Sequence, residues 1–366
     1  MKPQSVLLTT DTSGGVWNFS LELARDLQPQ DIEVHLATMG KPLDRAQRAM
    51  ARELDNVTIH ESSFRLEWMK DPWKDVDEAG TWLLDLEQSL QPDLIHLNSY
   101  SLGDLDWHAP VLITAHSCVY TWHEAVRGRA PSATTWGTYH TRVKEGLRRA
   151  GFVTAPTQSM LDALRRIYGP FKAAKPVPNC RSSAEFHAKH REPLILAAGR
   201  LWDEGKNFRV LDAAASGVDW PIYIAGEDRH PDGGAVHFPG LNHLGHLPEL
   251  ELAQWMGRAS IFVHPALYEP FGLAPLEAAL AGCCLILSDI PTLREIWDGA
   301  ALFVPPNDVT ATHKAMQHLI THYMHRQRLR DRAHERALQF SPERTVDGYL
   351  DLYSTLLQGA LQPVAA

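Results

Sequence analysis

The stretch ALYEPFGLAPLEAALAG, residues 266–282, sets two glutamates, Glu269 and Glu277, eight positions apart in one of the most apolar parts of the chain. IFVHP (261–265) precedes it and CCLILSD (283–289) follows it, and both read as buried strands. Between them Pro275 suits the first turn of a helix, which the alanines and leucines after it continue. The order is therefore strand, loop, helix, strand, the repeating unit of a parallel sheet covered on both faces. Carboxylates are costly in such surroundings unless something engages them. Glu269 falls in the loop at the strand's carboxyl end and Glu277 about one turn into the helix.

Outward from this unit the same alternation fills the chain. SVLLTTD (5–11) reads as a buried strand entering a Gly-Gly turn and an amphipathic helix, and strands follow in EVHLATMG, NVTIHESS, DLIHLNS, VLITAHS and GFVTAP. The stretch 175–193 is polar, contains proline and has no period, which marks a break. The pattern then restarts with PLILAAGR, a helix near 207–216, WPIYIAGE, the opening unit and ALFVPP. A length of 366 residues suits two cores rather than one. The expectation is an α/β protein of two doubly wound, Rossmann-like domains over 1–180 and 181–340. A long helical stretch is predicted over 308–339 and a last helix over 342–357, with 341–366 as a closing segment.

Composition narrows the class. An apolar share of 44% with 22% charged residues is that of a globular protein. The net charge of −9 gives no basic face of the kind nucleic acid requires. No apolar run approaches a membrane span, and the first residues are too polar for a signal peptide. Cys118, Cys180, Cys283 and Cys284 form no CxxC and suit a reducing cytoplasm.

Three loops gather chemistry at predicted strand ends, where open α/β sheets bind ligands. Gly14 and Gly15 follow the first strand, and free N–H groups there favour an anion, although a plain tight turn explains a lone Gly-Gly as well. Arg200 and Lys206 occupy the loop after PLILAAG and can neutralise a diphosphate, one as a fork and one as a point charge. Phe271, Gly272 and Leu273 lead into the opening helix, whose N–H groups can take phosphate oxygens. Glu269 and Glu277 on either side suit the hydroxyls of sugars. Hydroxyls at both ends and a diphosphate between them describe a nucleoside-diphosphate sugar.

The block HPALYEPFGLAPLEAALAG with LILSDIPTLREIWDGAALFVPPND resembles the donor-site signature of the retaining glycosyltransferases of family 4, which have the GT-B fold with two Rossmann-like domains facing a central cleft. The resemblance extends over nearly the whole chain. It implies that Glu269 faces the transferred sugar, that Glu277 takes the ribose hydroxyls, and that Arg200 and Lys206 hold the diphosphate. It also implies that His116 is the active-site histidine, that Gly14 and Gly15 form the glycine loop, and that Leu244, Gly245, His246 and Leu247 lie near the base. The last helix is similar to the one that crosses back to the N-terminal domain in this fold. Three departures stand out: Gly205 where the family commonly has lysine, with Lys206 after it; Asn179-Cys180 where Asn-Gly is frequent; and Ala266 in place of a frequent serine.

The resemblance further implies transfer with retention to a saccharide or glycoconjugate hydroxyl, by a front-face route in which the leaving diphosphate helps deprotonate the acceptor. No metal or cofactor is expected. Two other readings remain open, a GT-B sugar-nucleotide epimerase and a non-catalytic nucleotide-sugar-binding module. His318 and His322 share one helix face without a third metal ligand in view. Trp107, Trp122 and Trp136 could serve a carbohydrate acceptor or the core. The basic run 141–151 suits a solvated face, with membrane contact at most peripheral.

Overall fold

The computed structural model of the chain describes residues 1–12, 15–229 and 233–360. Gly14, expected in the glycine loop, lies outside them. The chain divides into two compact units, one of residues 1–121, 130–178 and 342 onward, the other of residues 122–129 and 179–341. Residues 122–129, within the segment assigned from sequence to the N-terminal domain, thus pack with the second unit.

The first unit holds a parallel sheet of β1 (Ser5–Asp11), β2 (Glu33–Met39), β3 (Val57–Glu61), β4 (Leu94–Leu97), β5 (Val111–Thr114) and β6 (Phe152–Thr154), in the order β3-β2-β1-β4-β5-β6. The second repeats that order with β7 (Glu192–Ala198), β8 (Ile222–Ala225), β9 (Asn242–Gly245), β10 (Ala259–His264), β11 (Cys284–Ser288) and β12 (Leu302–Val304), arranged β12-β11-β10-β7-β8-β9. In each sheet the order reverses beside the first strand. Crossovers leave from either side there, and their loops splay apart to open a ligand crevice at the carboxyl ends. In the second unit that point lies between β7 and β10, the strands carrying the Arg200 and Glu269 loops.

Side chains explain why these strands are central. Leu7, Leu36, Leu97 and Ile113 in the first sheet, and Leu196, Phe262, Leu285 and Ile286 in the second, are wholly buried. Strands covered on both faces need continuous apolar runs rather than alternation. The helix Pro342–Ala360 belongs to the first unit, where Val346, Tyr349, Leu352, Tyr353 and Leu356 join a core cluster with Val6, Leu8, Phe19 and Leu112. The stretch expected as one long helix over 308–339 is two, Val309–Thr321 and Tyr323–Ala337. His322 leaves helical geometry between them (φ −102°, ψ 72°).

All four cysteines are buried, and none forms a disulfide. Among the described residues, no helix is long and apolar enough to cross a membrane and no group of three or more metal-ligating side chains comes together. The cations of the helix Ala133–Arg149 are mostly balanced from within their own unit. Arg142 pairs with Asp77 at 2.5 Å, Arg148 with Glu145 at 2.7 Å and Arg149 with Asp106 at 2.7 Å.

Candidate functional site

At the carboxyl end of β10 the backbone passes through Pro265 and reaches Gly272, whose φ of 97° puts it in the left-handed region where a side chain is strained. A Cβ there would also stand 3.2 Å from Pro275 Cγ, 3.3 Å from Leu293 Cδ2 and 3.4 Å from Glu269 Cγ. Glycine therefore sets the turn that starts the helix Leu273–Leu280. Phe271, expected beside the donor, is buried in the core edge-to-face with Phe340 (5.5 Å), so its ring packs inward. Leu273 is partly buried at the helix start.

Two carboxylates sit where the sequence puts them, and each is engaged by a cation. Glu269 Oε2 accepts from Lys206 Nζ at 2.7 Å and lies 2.9 Å from His264 Nε2. Burial opposes the charge on Glu269, yet the Lys206 ammonium and then His264 outweigh it and hold the carboxyl well below its ordinary range. His264 is buried, which lowers its own basicity, while Glu269 pulls the other way. Glu277 Oε1 accepts from Arg181 Nε at 2.7 Å, with both side chains about nine-tenths buried. Neither His264 nor Arg181 was singled out from the sequence. His264 closes a buried strand at the edge where ligands bind, a position the sequence offers, but Arg181 sits in the aperiodic linker and no local pattern marks it.

The loop after β7 is stitched to the loop after β10. Gly205 O accepts from Leu267 N (2.8 Å) and Tyr268 N (3.2 Å), and Asn207 Nδ2 donates to Pro265 O (3.0 Å) and Pro306 O (2.7 Å). This explains how the one-residue displacement of the lysine is absorbed. A Cβ on Gly205 would meet Trp122 Nε1 at 2.9 Å and Asp203 Oδ1 at 3.1 Å, whereas Lys206 reaches Glu269 from the next position. Arg200, just past β7, is half exposed and pairs with Asp203 at 2.8 Å. Arg200, Lys206, Glu269, Gly272 and Glu277 thus all belong to the crevice edge of one sheet. Leu244 and Leu247 pack against the core, while Gly245, the last residue of β9, and His246 just after it are exposed at the sheet's far side.

In the first unit Gly15 opens the helix Gly15–Leu27 and is exposed. His116 follows β5. Its Nε2 lies 2.8 Å from Asn98 Oδ1, and Phe19 meets its ring edge-on at 4.5 Å. Asn98 Nδ2 donates to the carbonyl of Thr9 at 2.7 Å, so the amide oxygen must face His116. Nε2 then carries the hydrogen, and Nδ1 is left as the basic nitrogen. Burial lowers the imidazole pKa to about 3, so the ring is neutral near pH 7.

Residues 13–181 match the family model described as Glycosyltransferase Family 4, and residues 192–322 match the one described as Glycosyl transferases group 1. The chain belongs to glycosyltransferase family 4. Among curated relatives of this family 4 chain, the O-antigen chain mannosyltransferase B of Escherichia coli is 31% identical over 166 residues, 45% of the chain and 38% of that protein. The match therefore spans well under half of that relative's length. Among solved structures, sucrose-phosphate synthase from Thermosynechococcus elongatus superposes with a TM-score of 0.81 at 19% identity, over 97% of this chain and 100% of that one. Anabaena HepE in complex with UDP-glucose does so with a TM-score of 0.77 at 14% identity, over 96% and 100%. The fold of the family 4 chain is GT-B, built from two Rossmann-like domains.

Proposed function

We propose that the chain transfers a hexosyl group from a nucleoside-diphosphate sugar to a saccharide hydroxyl, with retention at the anomeric carbon. The observation that carries this reading is the paired charge at the β7–β10 crevice, where Lys206 with Glu269 and Arg181 with Glu277 flank the helix start at Gly272. A diphosphate entering there competes for the cations and releases carboxylate oxygens to accept sugar hydroxyls. The pairs thus hold the groups in place and satisfied until a donor arrives, which limits reorganisation on binding. In this reading Glu277 takes the ribose hydroxyls and Glu269 the transferred sugar. Leu244, Gly245, His246 and Leu247 lie towards the base, and Phe271 and Leu273 act through their backbone. A UDP-glucose complex among the structural neighbours and a mannosyltransferase among the relatives support a hexose donor.

Retention follows a front-face route. The bond from the anomeric carbon to the β-phosphate oxygen breaks as the acceptor oxygen bonds to the same face of that carbon, and the acceptor's proton passes to the departing phosphate oxygen. No protein nucleophile is required. Arg200 and Lys206 stabilise the charge that grows on the leaving group, while neutral His116, with Nδ1 free to accept, orients a hydroxyl. No step calls for a bound cofactor. The test is product analysis with UDP-, GDP- and ADP-hexoses and a saccharide acceptor. Release of nucleoside diphosphate with a product of unchanged anomeric configuration supports the reading. Inverted product, or an epimerised sugar nucleotide formed without acceptor, overturns it.

A further inference from the structure

Two groups grip Glu269 at the same oxygen, and they differ in their freedom to leave it. His264 ends β10 with 1% of its side chain exposed. Its Nε2 lies 2.9 Å from Glu269 Oε2, which also accepts from Lys206 Nζ at 2.7 Å. Among the described residues no other side chain bonds this carboxylate, so both bonds fall on Oε2 and Oε1 has none. Thr292 Oγ1 donates to the Glu269 carbonyl at 2.6 Å and pins the loop backbone separately.

The surroundings of the ring fix its protonation. An ionised carboxylate oxygen only accepts, so Nε2 carries the hydrogen and donates it. Nδ1 is buried and has no hydrogen-bond partner among the described residues. A hydrogen there would add an unpaired donor and a charge inside the core. Burial accordingly lowers the basicity of the imidazole, although Glu269 pulls the other way. His264 is therefore a fixed neutral donor, whereas the Lys206 ammonium can turn to another anion.

That difference matters once a diphosphate enters. In the transfer reading above, Lys206 turns to the phosphate oxygens, and Oε2 loses its cation just as more negative charge arrives. A buried carboxylate with no donor is costly, and it relieves the cost by swinging aside or taking up a proton. His264 is the donor that stays. Resting on that reading, we infer that His264 is a positioning residue for sugar recognition: it holds Oε2 after Lys206 has moved to the diphosphate, and so leaves Oε1 of Glu269 to accept a hydroxyl of the transferred hexose.

The test is calorimetry on the full chain with UDP-glucose, GDP-mannose and ADP-glucose, each beside its free nucleoside diphosphate. Two variants are compared with the parent: His264→Met, which fills the space without a donor, and His264→Gln, whose amide brings an N–H near the place of Nε2. His264→Met weakens the bound sugar nucleotide about tenfold or more and the free diphosphate less than about twofold, as loss of one charge-assisted hydrogen bond predicts. His264→Gln returns the sugar nucleotide to within about threefold of the parent. A substitution that merely loosened the loop would weaken both ligands alike and gain nothing from glutamine. Equal losses for the two ligands, no loss in His264→Met, or a glutamine variant as weak as the methionine one overturns the proposal. Nitrogen NMR of the parent adds a check that needs no variant to fold: Nε2 of His264 is protonated and Nδ1 is bare, and the opposite tautomer overturns the proposal. If the parent transfers a hexose while His264→Met keeps full affinity for the sugar nucleotide, the proposal falls and the transferase reading stands. If the parent binds no sugar nucleotide, the transferase reading falls and the proposal with it.

Discussion

Lys206 and Glu269 show how one contact ties sequence to chemistry. The folded carboxyl is held below its ordinary value of 4.5, so its ionised form stabilises the fold above that value and the contribution is lost only as pH falls below it. Across pH 5–8 Glu269 stays charged, and an acid limb in the rate is not its titration. Lys206→Met removes the cation while burial, which raises the carboxyl, remains. We expect turnover to fall about 100-fold and a new acid inflection, from the Glu269 carboxyl raised by burial, to appear in the rate profile; a profile without it denies the pairing. His96 in the first unit is also lowered, but there folding favours the neutral form. Burial, then His116, lowers it from 6.5 to about 3, and its ring bonds Tyr353 Oη (2.8 Å) and Thr114 Oγ1 (2.7 Å). Its neutral form stabilises fully above pH 6.5, and that stability drains away as pH falls towards 3 because the unfolded chain takes the proton. His96→Gln keeps hydrogen-bonding groups without the titration, so the acid slope of the melting temperature flattens; a slope equal to that of the parent removes this account.

At the scale of elements, the loops at the crevice edge depend on glycines that strand patterns do not reveal. A Cβ on Gly226, just past β8, would lie 1.7 Å from the carbonyl oxygen of Gly199, just past β7, at a φ of 146°. Two strand ends therefore approach more closely than any side chain permits. Gly226→Ala should cost about 3 kcal/mol by chemical denaturation and disturb the loop bearing Arg200; a variant as stable as the parent contradicts this geometry. The β-α-β unit at 261–288 was legible because its apolar runs and its proline each have one local meaning. The break at His322 was not, since the residues on both sides favour helix and only the backbone turn separates them. Arg181 was invisible for the same reason in reverse: a linker has no period, and its partner Glu277 is distant in sequence. Phe271 adjoins Gly272 in the turn, and only its ring, packed on Phe340, is taken up by the core.

For the whole molecule, the doubled 3-2-1-4-5-6 strand order was foreshadowed by the doubled alternation, while the return of the last helix to the first unit came only through resemblance. That helix brings Tyr349 and Tyr353, both wholly buried, into the first unit's core. Ending the chain at residue 341 exposes the facing side chains of Leu8 and Phe19, and we expect the first unit to lose cooperative melting while the second keeps its own transition. A single unaltered transition would contradict the division. The central claim is that the β7–β10 crevice grips a nucleoside diphosphate between paired charges. Calorimetric titration of UDP, GDP and ADP into the parent chain and into Glu277→Gln tests it most directly. The account predicts that at least one nucleotide binds and that the variant binds it about tenfold more weakly or worse. Equal affinity in both proteins, or no binding by any of the three, would contradict it.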